Sequence, residues 1–241
     1  MMSTILTIGP ASPINKGIIE NLLSDASREV TWLRVADEKY SEEAEFQSEK
    51  LQILSLKRGE ELGPVLKTLP KELQFSGIVY AEGIGGVRPA KLNNLDFIQE
   101  MFSANVFQFL ELVRHCLKQK RIKAGASILT LSSVSSIKGL KSKSVYSASK
   151  AALDAAVRGI AAELAPQGVR VNSILKGWVD ADMSLDFIES NMKLSSGSDF
   201  NQQLLGAISV EEISNLVEFM LSDKIRTITG TNLLIDGGYT L

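Results

Sequence analysis

Tyr146 and Lys150, four residues apart in "YSASK", can carry proton chemistry if the segment is helical, because positions i and i+4 share one helix face. A phenol ordinarily loses its proton near pH 10, too high for acid/base work at neutrality. An ammonium beside it favours the phenolate and lowers that value, which turns the pair into a usable proton donor and acceptor. Ser133 closes an apolar run upstream and offers a hydroxyl that can hold a substrate oxygen beside the phenol. Asn105, in the long amphipathic stretch after the fourth apolar run, can carry a water connecting the lysine to solvent. Taken singly, each has a plainer role: Tyr146 and Lys150 as helix surface, Ser133 as a strand-end cap, Asn105 as a polar helix position.

A second stretch, "STILTIGPASPINKGIIENLL" at 3–23, places a short buried strand before a helix. Between them Gly9 stands where a dinucleotide-binding turn has its first glycine, and Pro13 and Asn15 replace the later ones. Ser12 is a good N-cap and Pro13 a good first helical residue, since its missing N–H would be unpaired there anyway. Such a helix would present the N–H groups of Ile14 and Asn15, with its positive dipole end, to a phosphate. Asn15 adds bulk at the third glycine position.

The elements that must position these residues follow from hydrophobic patterning. Short apolar runs at 5–8, 29–35, 51–56, 77–82, 126–133, 169–175 and 232–236 read as strands, and amphipathic stretches at 95–118 and 150–168 read as helices between them. Strands apolar on both faces and alternating with helices predict an α/β, doubly wound parallel sheet in a single domain spanning 1–241. In such sheets ligands sit at the carboxyl ends of the strands, where Ser133 falls. The weakly patterned segment from about 180 to 205 is expected to cover a substrate. Its Met183, Leu185, Phe187, Ile188, Met192 and Leu194 suit either a partly apolar ligand or the buried face of a lid helix.

Composition narrows the function classes. The chain has 241 residues, 44% hydrophobic and 22% charged, enough to bury one substantial core. A formal net charge of -2 gives no general pull toward nucleic acid or acidic membrane, and "KQKRIK" reads as a solvated helix end. One cysteine, Cys116, excludes an internal disulfide, and one histidine, His115, excludes a multi-histidine metal site. No apolar run approaches a membrane span and the N-terminus lacks signal-peptide features, so a cytoplasmic protein without metal, membrane or nucleic-acid partner is expected.

Asn105, Ser133, "YSASK", "LAPQGVRVNSI" at 164–174 and "TGTNLLIDGGY" at 229–239 occur in the order and at the spacings of the short-chain dehydrogenase/reductase family, which the chain resembles over nearly its whole length. The resemblance implies a Rossmann-type domain with a seven-stranded parallel sheet and a nicotinamide cofactor. It also implies hydride transfer to or from a carbon bearing oxygen, on a small carbonyl or alcohol substrate. Tyr146 would be the acid/base, Lys150 would lower its pKa and bind the nicotinamide ribose, Ser133 would orient the substrate oxygen, and Asn105 would complete the relay.

The cofactor half departs from the family pattern. TGxxxGxG becomes "IGPASPIN", NNAG becomes "YAEG" with Gly83 retained, the aspartate after the third strand becomes Ser55, and the PG and Thr after the sixth become Lys176, Gly177 and Ala181. Gly9, Ser12, Ile14, Arg34, Gly83, Gly177, Tyr146 and Lys150 are the residues expected to hold a cofactor. The turn is also similar to the glycine-poor one of enoyl-reductase members, but their tyrosine and lysine lie farther apart than YxxxK, which places the chain with the carbonyl-reducing or alcohol-oxidising majority. Arg34, at the end of the second strand, suits the 2′-phosphate of NADP(H) over NAD(H), whereas a shift in strand boundary would put Asp37 there. The resemblance further implies a homotetramer or dimer joined through helices 95–118 and 150–165. A catalytically silent relative acting as a binding or scaffold subunit is the alternative that the altered turn and Lys176 favour.

Overall fold

The computed structural model describes residues 2–38, 40, 48–182 and 203–241. Seven strands, β1 (Ser3–Gly9), β2 (Arg28–Val35), β3 (Leu51–Leu56), β4 (Phe75–Tyr80), β5 (Ile122–Ser133), β6 (Arg170–Lys176) and β7 (Asn232–Ile235), form one sheet in the order β3-β2-β1-β4-β5-β6-β7. Every pairing is parallel. The period of two sends alternate side chains to opposite faces, so in β2 Val30 and Trp32 enter one apolar cluster while Leu33 and Val35 enter the other. Helices α1 (Pro13–Ser24) and α6 (Val210–Leu221) cover the first face. Helices α2 (Leu62–Thr68), α4 (Gln108–Lys118) and α5 (Ser144–Leu164) cover the second. This is the doubly wound, seven-stranded α/β architecture that the sequence predicts.

The long helix expected over 95–118 is instead α3 (Leu95–Phe102), a π turn (Ser103–Phe107) and α4. A π turn admits one extra residue into the helix and is often found at functional positions. Here it buries Asn105 and turns the Ala104 carbonyl toward the Tyr80 hydroxyl, which donates to it. Helix α5 starts at Ser144, earlier than its amphipathic pattern, and ends where Pro166 and the left-handed Gly168 (φ 71°) stop it. β4 ends at Tyr80, two residues before the apolar run does, so Ala81 and Glu82 lie in the loop beyond it.

The turn after β1 is held from beneath. Trp32 is wholly buried on β2, and its indole N–H donates to the Gly9 carbonyl at 3.0 Å. Gly9 itself has φ 153°, and a Cβ there would lie 2.8 Å from the Ala81 carbonyl oxygen, so only glycine permits this approach of β1 to the β4 loop. Replacing Trp32 by Phe retains the aromatic body and removes the donor. The buried Gly9 carbonyl then loses its partner, a loss of about 1–3 kcal/mol. For a chain of this size each kcal/mol lowers Tm by about 2–4 °C. Scanning calorimetry of the variant checks this, and an unchanged Tm would mean that the carbonyl has found another donor.

Candidate active site

The carboxyl ends of β4, β5 and β6 and the first turn of α5 bring the sequence-derived residues together. Ser133 is the last residue of β5, is 8% exposed, and its Oγ accepts a bond from Ser135 N at 3.2 Å. Two residues earlier on the strand, the Leu131 carbonyl accepts a 3.0 Å bond from Lys150 Nζ. The lysine is 5% exposed, and its Nζ lies 5.9 Å from the Tyr146 ring centroid on the same helix. The ammonium is therefore fixed to the end of β5, with the phenol one helical turn away.

Asn105 closes the other side of this group. Its Oδ1 accepts from Ile84 N at 2.9 Å, and its Nδ2 donates to the Ile84 carbonyl at 3.0 Å and to Ser149 Oγ at 2.9 Å. Ser149 in turn donates to the Tyr146 carbonyl at 2.8 Å. Both amide hydrogens of Asn105 are thus committed to protein. The residue clamps the β4 loop to α5. Gly83 sits inside the clamp with φ 156°, and a Cβ there would lie 2.7 Å from Asn105 Oδ1 and 3.0 Å from Lys150 Nζ. Glycine at this position leaves the space that the lysine fills.

The turn after β1 matches the sequence reading in part. Ser12 caps α1, with Pro13 as first residue, and Ser12 Oγ accepts from Asn15 N at 3.3 Å. The expectation that the Asn15 N–H faces a phosphate is corrected: the cap takes that hydrogen. Asn15 is fully buried, with Nδ2 donating to the Pro10 carbonyl at 3.0 Å and Oδ1 without a partner. Its side chain therefore braces the bend that a glycine would otherwise permit. Ile14 places its side chain in the core and its backbone in the first helical turn, where N–H groups have no intrahelical partner. No acidic residue stands in that turn to oppose an anion.

At the ends of β2 and β3, Arg34 lies in register with Gly9 on one side and Ser55 on the other. Its Nη2 donates to Ser55 Oγ at 3.0 Å, and its guanidinium carbon is 5.8 Å from the Trp32 ring. Asp37 is engaged by Arg58, whose Nη2 is 2.8 Å from Asp37 Oδ2 and whose Nε is 3.0 Å from Glu82 Oε1. Burial pushes the Glu82 carboxyl up from its ordinary value, against the pull of Arg58. Burial also raises the Tyr80 phenol well above its ordinary value, which leaves it a hydrogen-bond donor to Ala104. Sequence reasoning passes over Arg58 and Ser149. Arg58 was findable as a charged residue just beyond a strand, whereas Ser149 carries no signal of its own.

Gly177 extends beyond β6, and a Cβ there would lie 2.5 Å from Gln203 Oε1 and 3.0 Å from Asp236 Cα, so close packing alone demands glycine. Lys176 is in register with Ser133. The apolar residues Met183, Leu185, Phe187, Ile188, Met192 and Leu194 lie outside the described residues. Burial pushes the Cys116 thiol up to about 12, which keeps it protonated and inert. Among the described residues no cluster of acidic, histidine or cysteine side chains could hold a metal, and no helix is long and apolar enough to cross a membrane.

A family model described as enoyl-(acyl carrier protein) reductase matches residues 72–240. Dehydrogenase/reductase SDR family member 6 of Rattus norvegicus is 33% identical over 141 residues, and the match spans 57% of this chain and 58% of that protein. L-xylulose reductase of Caenorhabditis elegans is 32% identical over 179 residues, spanning 73% of this chain and 70% of the relative. The crystal structure of a short chain dehydrogenase family protein from Francisella tularensis is similar at a TM-score of 0.87 and 26% identity, over 100% of this chain and 99% of that one. The fold, the sequence identity and the family model agree, and the chain belongs to the short-chain dehydrogenase/reductase family of oxidoreductases.

Proposed function

We propose that the protein is an NAD(P)(H)-dependent oxidoreductase that reduces a ketone or oxidises a secondary alcohol. The observation that carries this reading is the Lys150 ammonium, buried, bonded to the Leu131 carbonyl beside Ser133, and one helical turn from the Tyr146 phenol. The YxxxK spacing supports carbonyl rather than enoyl chemistry, although the matching family model carries an enoyl-reductase description. The name of the L-xylulose reductase relative points the same way.

The residues present fit a nicotinamide dinucleotide. Gly9 and Gly83 let β1, the β4 loop and Lys150 pack closely at the carboxyl edge, the N-terminus of α1 offers Ile14 and Ser12 without an opposing acid, and Lys150 and Tyr146 offer donors for the nicotinamide ribose. Gly177 would let the chain pass close to the nicotinamide end. The nicotinamide supplies or accepts the hydride when it is bound. In reduction, the Tyr146 hydroxyl donates its proton to the substrate oxygen as charge develops there. The Lys150 ammonium stabilises the phenolate left behind, and the Ser133 hydroxyl donates to the same oxygen and holds it in place. Asn105 keeps the β4 loop pressed on Lys150, so that the ammonium cannot turn to solvent.

Titrating NADH and NADPH against the protein by fluorescence tests the reading at its base. Binding of at least one is expected, and binding of neither at millimolar concentration would overturn it in favour of a silent scaffold. Tyr146→Phe removes the proton donor and leaves the helix intact, so turnover should fall about 10²–10⁴-fold, with cofactor affinity little altered, by no more than about 0.5–1.5 kcal/mol, the value of one ribose hydrogen bond. Lys150→Ala should reduce both. Stopped-flow rates and titration of the two variants separate these effects.

Arg34 supports NADP(H) over NAD(H). Arg34 stands at the end of β2 in register with Gly9, its guanidinium bonded to Ser55 on β3, whereas the alternative selector, Asp37, is tied to Arg58. Arg34→Ala should weaken NADPH binding by about 1.5–3 kcal/mol, the value of a hydrogen bond to a charged group, and leave NADH nearly untouched. Equal weakening of both, measured by calorimetry, would remove Arg34 from the phosphate.

A homodimer or homotetramer joined through α4 and α5 is supported by their outward faces. Phe107, just before α4, is 54% exposed, and Leu110 and Leu117 continue its stripe at helical spacing. Along α5 the small residues sort by face: Ala156 packs on the sheet, whereas Ala151, Ala155 and Gly159 face outward and a Cβ at Gly159 meets nothing. Gly159→Arg should therefore leave the fold intact and shift light scattering toward monomer, and a wild-type monomer at micromolar concentration would refute the assembly.

A further inference from the structure

Lys143 stands three residues before Tyr146 and seven before Lys150, a spacing that sets all three on one side of α5, yet the proton relay uses only the last two. The two lysines reach in opposite directions. Lys150 turns toward β4, its Nζ 3.0 Å from where a Cβ of Gly83 would stand, whereas Lys143 turns toward β6, its Nζ 4.5 Å from the ring centroid of Trp178 just beyond that strand. Strand β5, which ends in Ser133, runs between β4 and β6. Trp178 is fixed from behind: its N–H donates to Gln203 Oε1 at 2.9 Å, and its carbonyl accepts from Gln203 Nε2 at 3.0 Å. Its ring packs with Val134, the residue after Ser133, and with Leu140 and Tyr239. Lys143 and Trp178 are each only 8% exposed, so an ammonium is held on an aromatic wall beside the serine. An ammonium carries three N–H donors, and a ring face takes up one of those directions, so Lys143 can hold an anion alongside its other contacts. No acidic residue stands in the first turn of α5 to oppose one.

The location narrows the anion. The phosphates of a dinucleotide belong at the turn after β1, which lies on the far side of β4 from Lys143, so this ammonium is not placed for them. A substrate oxygen held by Ser133 and Tyr146 has Lys143 about 5 Å away along α5, one helical turn. One ammonium on an aromatic wall matches the single charge of a carboxylate on a carbon skeleton, and offers less than the several donors that a phosphate takes. We propose that Lys143 binds a carboxylate of the substrate, that the substrate class is an oxo acid reduced to its hydroxy acid, and that Trp178 is the positioning residue that holds the ammonium. This rests on the reading of Ser133 and Tyr146 as the site of carbonyl reduction. The carboxylate makes and breaks no bond: hydride from the nicotinamide reaches the carbonyl carbon, the Tyr146 proton reaches its oxygen, and the carboxylate stays ionised on Lys143.

The test sets acetoacetate, 4-oxopentanoate, 5-oxohexanoate and 4-acetylbenzoate each against its methyl ester. Two readouts are taken on the full chain: reduction with NADPH or NADH, and calorimetric titration with and without the oxidised cofactor, where no turnover occurs. At least one acid should bind and react about 10- to 100-fold better than its ester, the value of a hydrogen bond between charged groups. Lys143→Met keeps the length of the side chain and costs no cap, since Lys143 makes no capping bond. It should raise Kd and KM for that acid about 10- to 100-fold, leave kcat within about threefold, and leave the ester within about twofold. Lys143→Arg keeps the charge and should restore most of the affinity. Esters used as well as acids by the wild type, or acid and ester weakened alike in Lys143→Met, would overturn the proposal and leave the oxidoreductase reading standing. A lowered Tm in Lys143→Met with the preference for the acid intact would make the lysine merely structural and overturn the proposal too. An acid bound through Lys143 with no carbonyl turned over would keep the carboxylate site and overturn the oxidoreductase reading instead. If the wild type binds none of the acids at millimolar concentration, the proposal fails.

Discussion

A buried ammonium must be held by oxygen atoms or it will not stay charged, and that requirement at Lys150 organises the structure around it. The Leu131 carbonyl supplies one acceptor at 3.0 Å, and the Glu82 carboxylate lies close enough for its charge to be felt. The space for Nζ exists because Gly83 has no side chain. Gly83 stays there because Asn105 grips the next residue, Ile84, through both its N–H and its carbonyl. Asn105 reaches that loop because the helix widens into a π turn at Ser103–Phe107, and Tyr80 pins the turn through the Ala104 carbonyl. Each step ties a polar group to a partner that the previous step positions, so the position of the ammonium is over-determined.

The sheet makes this arrangement possible. Parallel strands end at a common edge, and their backbone groups beyond the last pairing are the ones left to bind side chains or ligands. Leu131 and Ser133 on β5, the loop after β4 and Lys176 on β6 meet there because adjacent strands keep register to their ends. The apolar clusters on the two faces hold the strands rigid, so the edge can carry buried polar groups without collapsing onto them.

Legibility from sequence followed the range of the interactions. Ser12 and Pro13 were readable because a cap and a first helical residue act within four positions, and the seven strands were readable as short apolar runs, even at the edges, where β3 and β7 are only partly buried. Asn15 was misread in one respect for the same reason: its N–H lies three residues from Ser12, and the nearer acceptor took it. The break in the helix over 95–118 left no trace in the apolar period, since a π turn shifts the pattern by a single residue. The pairing of Arg58 with Asp37 and Glu82 was invisible because these partners stand 21 and 24 residues away, and only the folded edge brings them together. Tyr146, Lys150, Ser133 and Asn105 were recognised by resemblance, whereas the clamp that fixes Lys150 runs through Gly83, Ile84 and Ser149 and has no local signature.

The altered cofactor half then has a physical account. A glycine-rich turn binds phosphate with bare backbone, and its shape comes from conformations that only glycine adopts easily. Here side chains do the shaping: Asn15 ties the bend to Pro10, Trp32 ties Gly9 to β2, and Ser12 closes the helix end. Substituting side-chain hydrogen bonds for glycine freedom yields a stiffer turn with fewer backbone donors to offer. The charges gathered at the neighbouring strand ends, Arg34 and Arg58 against Asp37 and Glu82, balance in number. A nucleotide there would be selected by shape and by paired hydrogen bonds as well as by charge.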